Sequence, residues 1–549
     1  MPLRASATSD LWWKNAVVYC LDVETFADSD GDGCGDLAGL VERIEHVANL
    51  GATCLWLMPL YPTTNRDDGY DITDYLGVDA RLGDLGDVVE AIRHAHDRGL
   101  RVLMDLVVNH TSNRHPWFQA ACADRCGPFR DYYVWTDDPA SEDGTTKENW
   151  TWEETAAQYY QHQFAPFQPD LNIANPSVRH EIAKTVGFWL TLGVSGFRMD
   201  AVPFLVQVVE GTGSDPGSGK RWLHSLREYA MRRRGEVMLM GECNVAKEDV
   251  PSFFEDHGDA LHLQLAFLIN QRLWLALARG EAAPLEDLIR DLPVPPHDGG
   301  WATFLRNHDE LTLDRLSPAE RDEVFAAFAP DENMRIYGHG IRRRTASMLG
   351  GDGPRLRMAW SLLLTLPGTP VILYGDEIGM GEDLSLDGRM SVRTPMQWSP
   401  GPGAGFSTAH RLVRPIAEGA FAPDRVSVAG QRRNEDSLLR LLTHLIHTRR
   451  QAPELGWGTS TLLENDPAAL LAHRCDWQGS TVITVHNLAA SPVSTELDLG
   501  QDVEGADDLL DMREHHVEDG RLRVDLAAYG YIWLRARRAS DGAARPPVD

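Results

Sequence analysis

Three carboxylic acids, two imidazoles and one guanidinium stand at the ends of short apolar runs that have the length and composition of buried strands. DLVVNH (105–110) ends in Asn109 and His110, and GFRMDAV (196–202) carries Arg198 and Asp200. GEC (241–243) carries Glu242, and FLRNHDE (304–310) carries Asn307, His308 and Asp309. One acidic residue after a strand is commonly a helix N-cap or a surface charge. Several carboxylates at one mouth repel one another and so call for a use, of which cleavage of an acetal bond is one. A retaining mechanism takes one ionised nucleophile and one carboxylic acid roughly 5 Å apart. Asp200 and Glu242 can fill those roles. Arg198, two positions before Asp200, points to the same side of a strand and can keep Asp200 ionised.

Eight strand-like runs alternate with amphipathic stretches of helical length: AVVYCLDV at 16, TCLWLMP at 53, RVLMDLVV at 101, GFRMDAV at 196, EVMLMGEC at 236, ALHLQL at 260, WATFLRN at 301 and PVILYGDE at 370. Eight parallel strands close a (β/α)8 TIM barrel, the α/β class in which polar residues at the C-terminal strand ends face one mouth. Helices are predicted at 37–50, 84–98, 177–192 and 352–366, with a final one near 436–452. The spacing assigns 1–110 and 176–455 to the barrel, 111–175 to an inserted domain after strand 3, and 379–433 to loop. VITVHNL, TELDL, LRVDL and YIWLRA predict a C-terminal antiparallel β-domain over 456–538, and 539–549 reads as a disordered tail.

With 549 residues, 43% of them hydrophobic, the chain can build a large core and more than one domain. A net charge of −29 repels phosphate backbones, so nucleic acid and anionic membranes are excluded as partners and a neutral ligand is expected. No signal peptide or spanning segment is visible, which predicts a cytoplasmic protein. Seven scattered cysteines predict reduced thiols, with no zinc site at Cys122 and Cys126. Self-association into a homo-oligomer is left open.

The six segments DLVVNH, QPDLN (168–172), GFRMDAV, GEC, FLRNHDE and GTPVILYGDE (368–377) together resemble the short motifs of glycoside hydrolase family 13, the α-amylase family, over residues 11 to about 540. The resemblance implies Asp200 as nucleophile, Glu242 as proton donor, and Asp309 as the carboxylate that binds sugar hydroxyls and favours ring distortion. It implies that His110 and His308 hydrogen-bond the reacting glucose, that Tyr70 stacks beneath it, and that Trp and Tyr residues of the inserted domain add platforms. Asp71, in DDGYDITDY, and Arg393, in SVRTPMQW, resemble the pair with which exo-acting members close the site around one terminal glucose.

Longer stretches, among them NWTW at 149, GFRMDAVPFL, EGTG at 210 and GIRRRTASMLG, resemble the trehalose synthase branch. That branch implies isomerisation of maltose and trehalose. SDPGSGKRW after EGTG, and GECNV, depart from its pattern, so an exo-acting α-glucosidase or transglucosidase is the alternative. A noncatalytic amylase-like partner is disfavoured by the intact carboxylates.

DSDGDGCGD offers Asp28, Asp30, Asp32 and Asp36 among glycines, a turn whose oxygens can wrap a hard cation, although position twelve is Gly39 and not the Glu of an EF-hand. The resemblance points to a structural Ca²⁺ there with the Cys34 carbonyl as a further ligand, and to a second Ca²⁺ between Asn109 and Asp170.

Overall fold

A computed structural model describes residues 11–139, 147–211, 218–254 and 260–538. The predicted tail 539–549 and most of the EGTG-to-SDPG stretch lie outside the described residues.

Eight parallel strands form a closed barrel: β1 (Val18–Leu21), β2 (Cys54–Leu57), β3 (Arg101–Leu106), β4 (Gly196–Met199), β5 (Met238–Gly241), β6 (Leu263–Leu265), β7 (Gly300–Phe304) and β8 (Thr369–Leu373). Each pairs with its neighbour in sequence, and β8 returns to β1 through Val18 opposite Val371. Six lie inside the predicted runs and β7 and β8 begin one residue before theirs; the runs are legible because they are largely apolar, with one face packed in the barrel and one under the helices. The helices Leu37–Leu50, Leu85–Asp97, Pro176–Leu192 and Gly353–Thr365 begin at Asp36, Asp84, Asn175 and Asp352, whose side chains accept backbone N–H groups of the first turn.

The segment between β3 and the helix Pro176–Leu192 carries a small antiparallel sheet of Trp135–Thr136, Gln158–Gln161 and Trp150–Glu153. The chain leaving this sheet is tied to the end of β3 by the isolated bridge His110 to Asp170, and its Phe164 lines the cavity at the mouth. After the helix Leu438–Arg450 comes a six-stranded antiparallel sheet with a two-stranded one. This unit has its own core of Leu470, Ile483, Val485, Leu497 and Leu534. It is fixed to the barrel where Ser361 meets both His486, at 2.9 Å, and the Trp533 indole, at 2.8 Å. All seven cysteines are free, as expected. Among the described residues no helix is long and apolar enough to cross a membrane.

Candidate active site

Asp200 follows β4 directly, Glu242 follows β5, and Asp309 stands five residues beyond β7. Their side chains line one cavity of about 450 Å³, together with Tyr70 and His110. The volume falls within the range of small-molecule sites.

The centre of the cluster is Arg198, fully buried on β4. Its Nη1 donates to Asp105 Oδ1 at 2.7 Å and to Asp200 Oδ1 at 2.6 Å, and its Nη2 lies 2.8 Å from Glu242 Oε2. Asp105 was not singled out in the sequence. It sits on β3 directly opposite Arg198 and also accepts the Trp56 indole at 2.8 Å. The one available signal was an acid inside an apolar strand, RVLMDLVV, where a charge is retained only with a partner.

Burial pushes the Asp200 carboxyl up to about 6, against the pull of Arg198 and with the help of Asp105 and Asp309. Burial, again opposed by Arg198 and aided by Asp200 and Asp309, lifts Glu242 to about 7. Near neutral pH the first is therefore ionised more readily than the second, the division of labour an acid and a nucleophile need. Ala201, between them, holds a left-handed φ of +50° and donates its N–H to Glu242 Oε2 at 3.1 Å. An alanine pays for that conformation, and such strain gathers where a site over-determines the backbone.

Asp309 is built differently. Burial works against its charge, but His308, Arg389 and Arg393 outweigh it and hold the carboxyl far below the usual range. Arg389 Nη1 donates to Asp309 Oδ1 at 2.6 Å and Arg393 Nη2 to the same oxygen at 3.0 Å.

His308 is placed elsewhere than expected. It is fully buried behind the cavity wall, its Nε2 lying 2.6 Å from the Tyr70 hydroxyl and 3.1 Å from Asp309 Oδ2, and its ring stacks on Tyr70 at 5.8 Å. Burial drives its imidazole well below the usual range, so it serves as a neutral brace. His110 does face the cavity, with Nε2 at 3.1 Å from the Tyr70 carbonyl and 3.2 Å from Gln168 Nε2.

The predicted pair of Asp71 and Arg393 does not form. Asp68, at φ +52°, and Gly69, at φ +91°, turn the chain back on itself, a conformation Gly69 adopts without a steric cost. Asp71 then faces away from the cavity: Thr63 Oγ1 donates to it at 2.7 Å, Thr64 donates as well, and the Arg66 N–H donates at 3.1 Å. Arg393 binds Asp68 instead, at 2.7 Å. The acid of this turn that does line the cavity is Asp67, paired with Arg389 at 3.1 Å. Neither residue was singled out, since DDGYD offers three acids in five positions and spacing alone does not choose among them.

Comparison with known proteins places this geometry. The model of the α-amylase catalytic domain matches residues 22–322 and 332–458, and that of the sucrose hydrolase-like C-terminal domain matches 479–535. The chain belongs to the α-amylase family. It is 38% identical to the trehalose synthase/amylase TreS of Mycobacterium tuberculosis over 98% of this chain and 92% of that one. It is also 38% identical to the trehalose synthase of Pimelobacter sp., over 89% of each. The crystal structure of the α-amylase from H. orenii superimposes with a TM-score of 0.78 at 27% identity, over 95% of this chain and all of that one.

Within this amylase fold, the cavity is lined further by Pro203, Phe204, Asn244, Asp314 and Arg315. Asn244 Nδ2 donates to both oxygens of Asp314, at 3.1 and 3.0 Å, and Arg315 Nη2 donates to the Asn244 carbonyl at 2.7 Å. Among the described residues, the two cations that line the cavity, Arg315 and Arg389, both face carboxylates, so neither stands ready for an anionic substrate. The aromatic of the inserted segment at the cavity is Phe164, 5.3 Å from His110, rather than a Trp or Tyr. Trp135 and Tyr160 pack instead on Phe118 and make that segment's own core.

Of the predicted metal ligands, the carboxylates of Asp28, Asp30 and Asp36 come within 4.8 Å of one another. Asp32 turns to the Cys34 N–H, which donates to its Oδ1 at 2.7 Å, and does not join that group. Three convergent carboxylates in a tight turn are the donor set of a hard dication, so the residues fit Ca²⁺. Asn109 turns its amide nitrogen to Asp170 Oδ1 at 3.2 Å, and burial pushes Asp170 up to about 7. This pair satisfies itself as a hydrogen bond.

Proposed function

We propose that this chain is a retaining α-glucoside-active enzyme that interconverts maltose and trehalose by moving one α-glucosyl group between hydroxyls of the same glucose. The observation that carries the reading is the Arg389–Asp67 pair at the cavity wall beside Asp309, a place where a charged pair can close the site around one terminal sugar. The near full-length likeness to trehalose synthases supports it. So does the pairing of both cations that line the cavity among the described residues, Arg315 and Arg389, with carboxylates, which suits a neutral sugar.

Asp200 attacks the anomeric carbon while Glu242 gives its proton to the glycosidic oxygen. The C–O bond breaks, neutral glucose is released within the site, and a glucosyl ester forms on Asp200. Asp309, held ionised by Arg389 and Arg393, grips sugar hydroxyls and favours the flattened ring of the transition state. In the second step Glu242 takes the proton of the anomeric hydroxyl of that glucose, whose oxygen displaces Asp200 to give trehalose. Water in place of glucose would give hydrolysis, so the yield of isomer depends on keeping water out.

Incubation with maltose followed by separation of the sugars tests the reading. Trehalose as the main product is expected, with free glucose the lesser. Abundant glucose without trehalose would assign the chain to the exo-acting α-glucosidases or transglucosidases instead.

The loop of Asp28, Asp30 and Asp36 would hold a Ca²⁺ of structural character, since the chemistry above uses carboxylates alone. Chelation is expected to lower Tm by roughly 1–2 °C, the shift that a loss of about 1–2 kcal/mol gives at this chain length. Readdition of Ca²⁺ should restore it, and identical Tm values with and without chelator would rule the ion out.

A further inference from the structure

Arg414 lies in the 379–433 segment, far in sequence from every strand end, yet it is buried among the residues that support Asp309. Its Nη2 donates to Glu24 Oε2 at 2.7 Å and to Asp68 Oδ1, and its Nη1 donates to the Arg393 carbonyl at 2.9 Å and to Asp22 Oδ2 at 3.2 Å. The other oxygen of Asp68 accepts Arg393 Nη1 at 2.7 Å, and Arg393 Nη2 reaches Asp309. One uninterrupted line of charge-assisted bonds thus runs from Arg414 through Asp68 and Arg393 to the third carboxylate.

The far end of that line is anchored in the acidic loop. The Asp28 N–H donates to the Phe406 carbonyl at 2.9 Å, the Val413 N–H donates to the Gly33 carbonyl at 2.8 Å, and the Ser407 hydroxyl donates to Asp28. Gly33 has φ +99°, and a Cβ there would run into the carbonyl of Arg411. The loop and the irregular segment 406–413 are therefore packed closely against each other, and Arg414 follows directly.

We propose that Arg414 is a positioning residue. It fixes Asp68 and the Arg393 backbone, so that Arg393 presents its second nitrogen to Asp309, and it makes the setting of that carboxylate depend on the acidic loop 28–36. The network has physical reason to act as a unit. Asp22, Glu24 and Asp68 are three buried acids whose oxygens converge on this one guanidinium, and removing it takes away the group that holds them together, so that Asp68 and then Arg393 shift. Because Asp309 acts on the distorted sugar, a misplaced Asp309 should be felt in kcat more than in KM.

This inference rests on the role proposed for Asp309, so Asp309→Asn is the control. Hydrolysis of 4-nitrophenyl α-glucoside is followed for D309N, Arg414→Gln, Arg414→Lys and Ser407→Ala, with Tm measured beside kcat and KM. The expected result is a loss of about tenfold or more in kcat for R414Q with KM changed less than threefold, and recovery of most of it in R414K. S407A, which leaves every charge in place, should lower kcat about two- to threefold by loosening the loop. Wild-type kcat in folded R414Q, or equal kcat in R414Q and R414K, overturns the positioning role. If R414Q does not fold, S407A decides: an unchanged kcat with a lowered Tm overturns the coupling to the loop. A D309N enzyme with full activity would instead defeat the functional reading itself.

Discussion

Asp200→Asn is expected to lower turnover of maltose by about 10⁴-fold or more, the scale seen when the group that forms the covalent intermediate is lost. Stability should move the other way. Burial raises the folded-state pKa of Asp200 to about 6, above its ordinary carboxylate value, so the native chain holds a proton that the unfolded chain has released. Stability from this group is thus present at low pH and lost as pH rises from about 4 through 6. Asparagine removes that loss and keeps the hydrogen bond from Arg198, so Tm at pH 7 should match or exceed that of the wild type. Circular dichroism melting beside product analysis checks both halves. A fully active D200N would dismiss Asp200 as nucleophile, and with it the reading of the chain as an enzyme of this mechanism.

Arg198→Met carries the second large effect. One fully buried guanidinium faces Asp105, Asp200 and Glu242, and without it three carboxylates share a dry site. Breaking a buried pair by removing one partner costs about 3–5 kcal/mol. The wild type should show a bell-shaped dependence of kcat/KM on pH. It rises as Asp200 loses its proton near 6 and falls as Glu242 loses its own near 7, the two limbs belonging to the coupled pair. In R198M the acid limb should move up by at least one pH unit and activity at pH 7 should fall about 10²-fold or more, since the nucleophile is then protonated. An acid limb that stays near 6 would show that something other than Arg198 keeps Asp200 ionised. Chemical denaturation read by fluorescence measures the stability change independently.

Much of this was legible because it depends on short-range pattern. The eight strands announce themselves as apolar runs of fixed length, and the three acids follow within a few residues of their ends, so that the barrel closure alone brings Asp200, Glu242 and Asp309 to one mouth. His110 was found for the same reason, whereas Tyr70 was found only by the resemblance of its GYD context to the family. The helix starts were equally readable, since Asp36, Asp84, Asn175 and Asp352 are residues whose short side chains satisfy first-turn N–H groups. The added strands of the C-terminal unit, such as Leu470–Trp477 and Val503–Asp508, were less so, because their apolar alternation is broken by charged residues on the open face.

What the sequence could not supply is direction across distance. Asp71 and Asp67 have the same chemistry and stand four residues apart, and the choice between them falls to two left-handed residues, Asp68 and Gly69, that turn one acid toward the cavity and the other onto Thr63 and Thr64. Arg389, Arg393 and Arg414 come from a segment with little regular structure, where no period fixes which side a residue faces. Thus the chain's own pattern determined the barrel and the acids at its mouth, because both follow from local hydrophobic spacing. The folded molecule alone decided which cation holds which acid, because ion pairing in a dry interior depends on positions to within about an ångström, and residues hundreds of positions apart are brought to that precision only by tertiary packing.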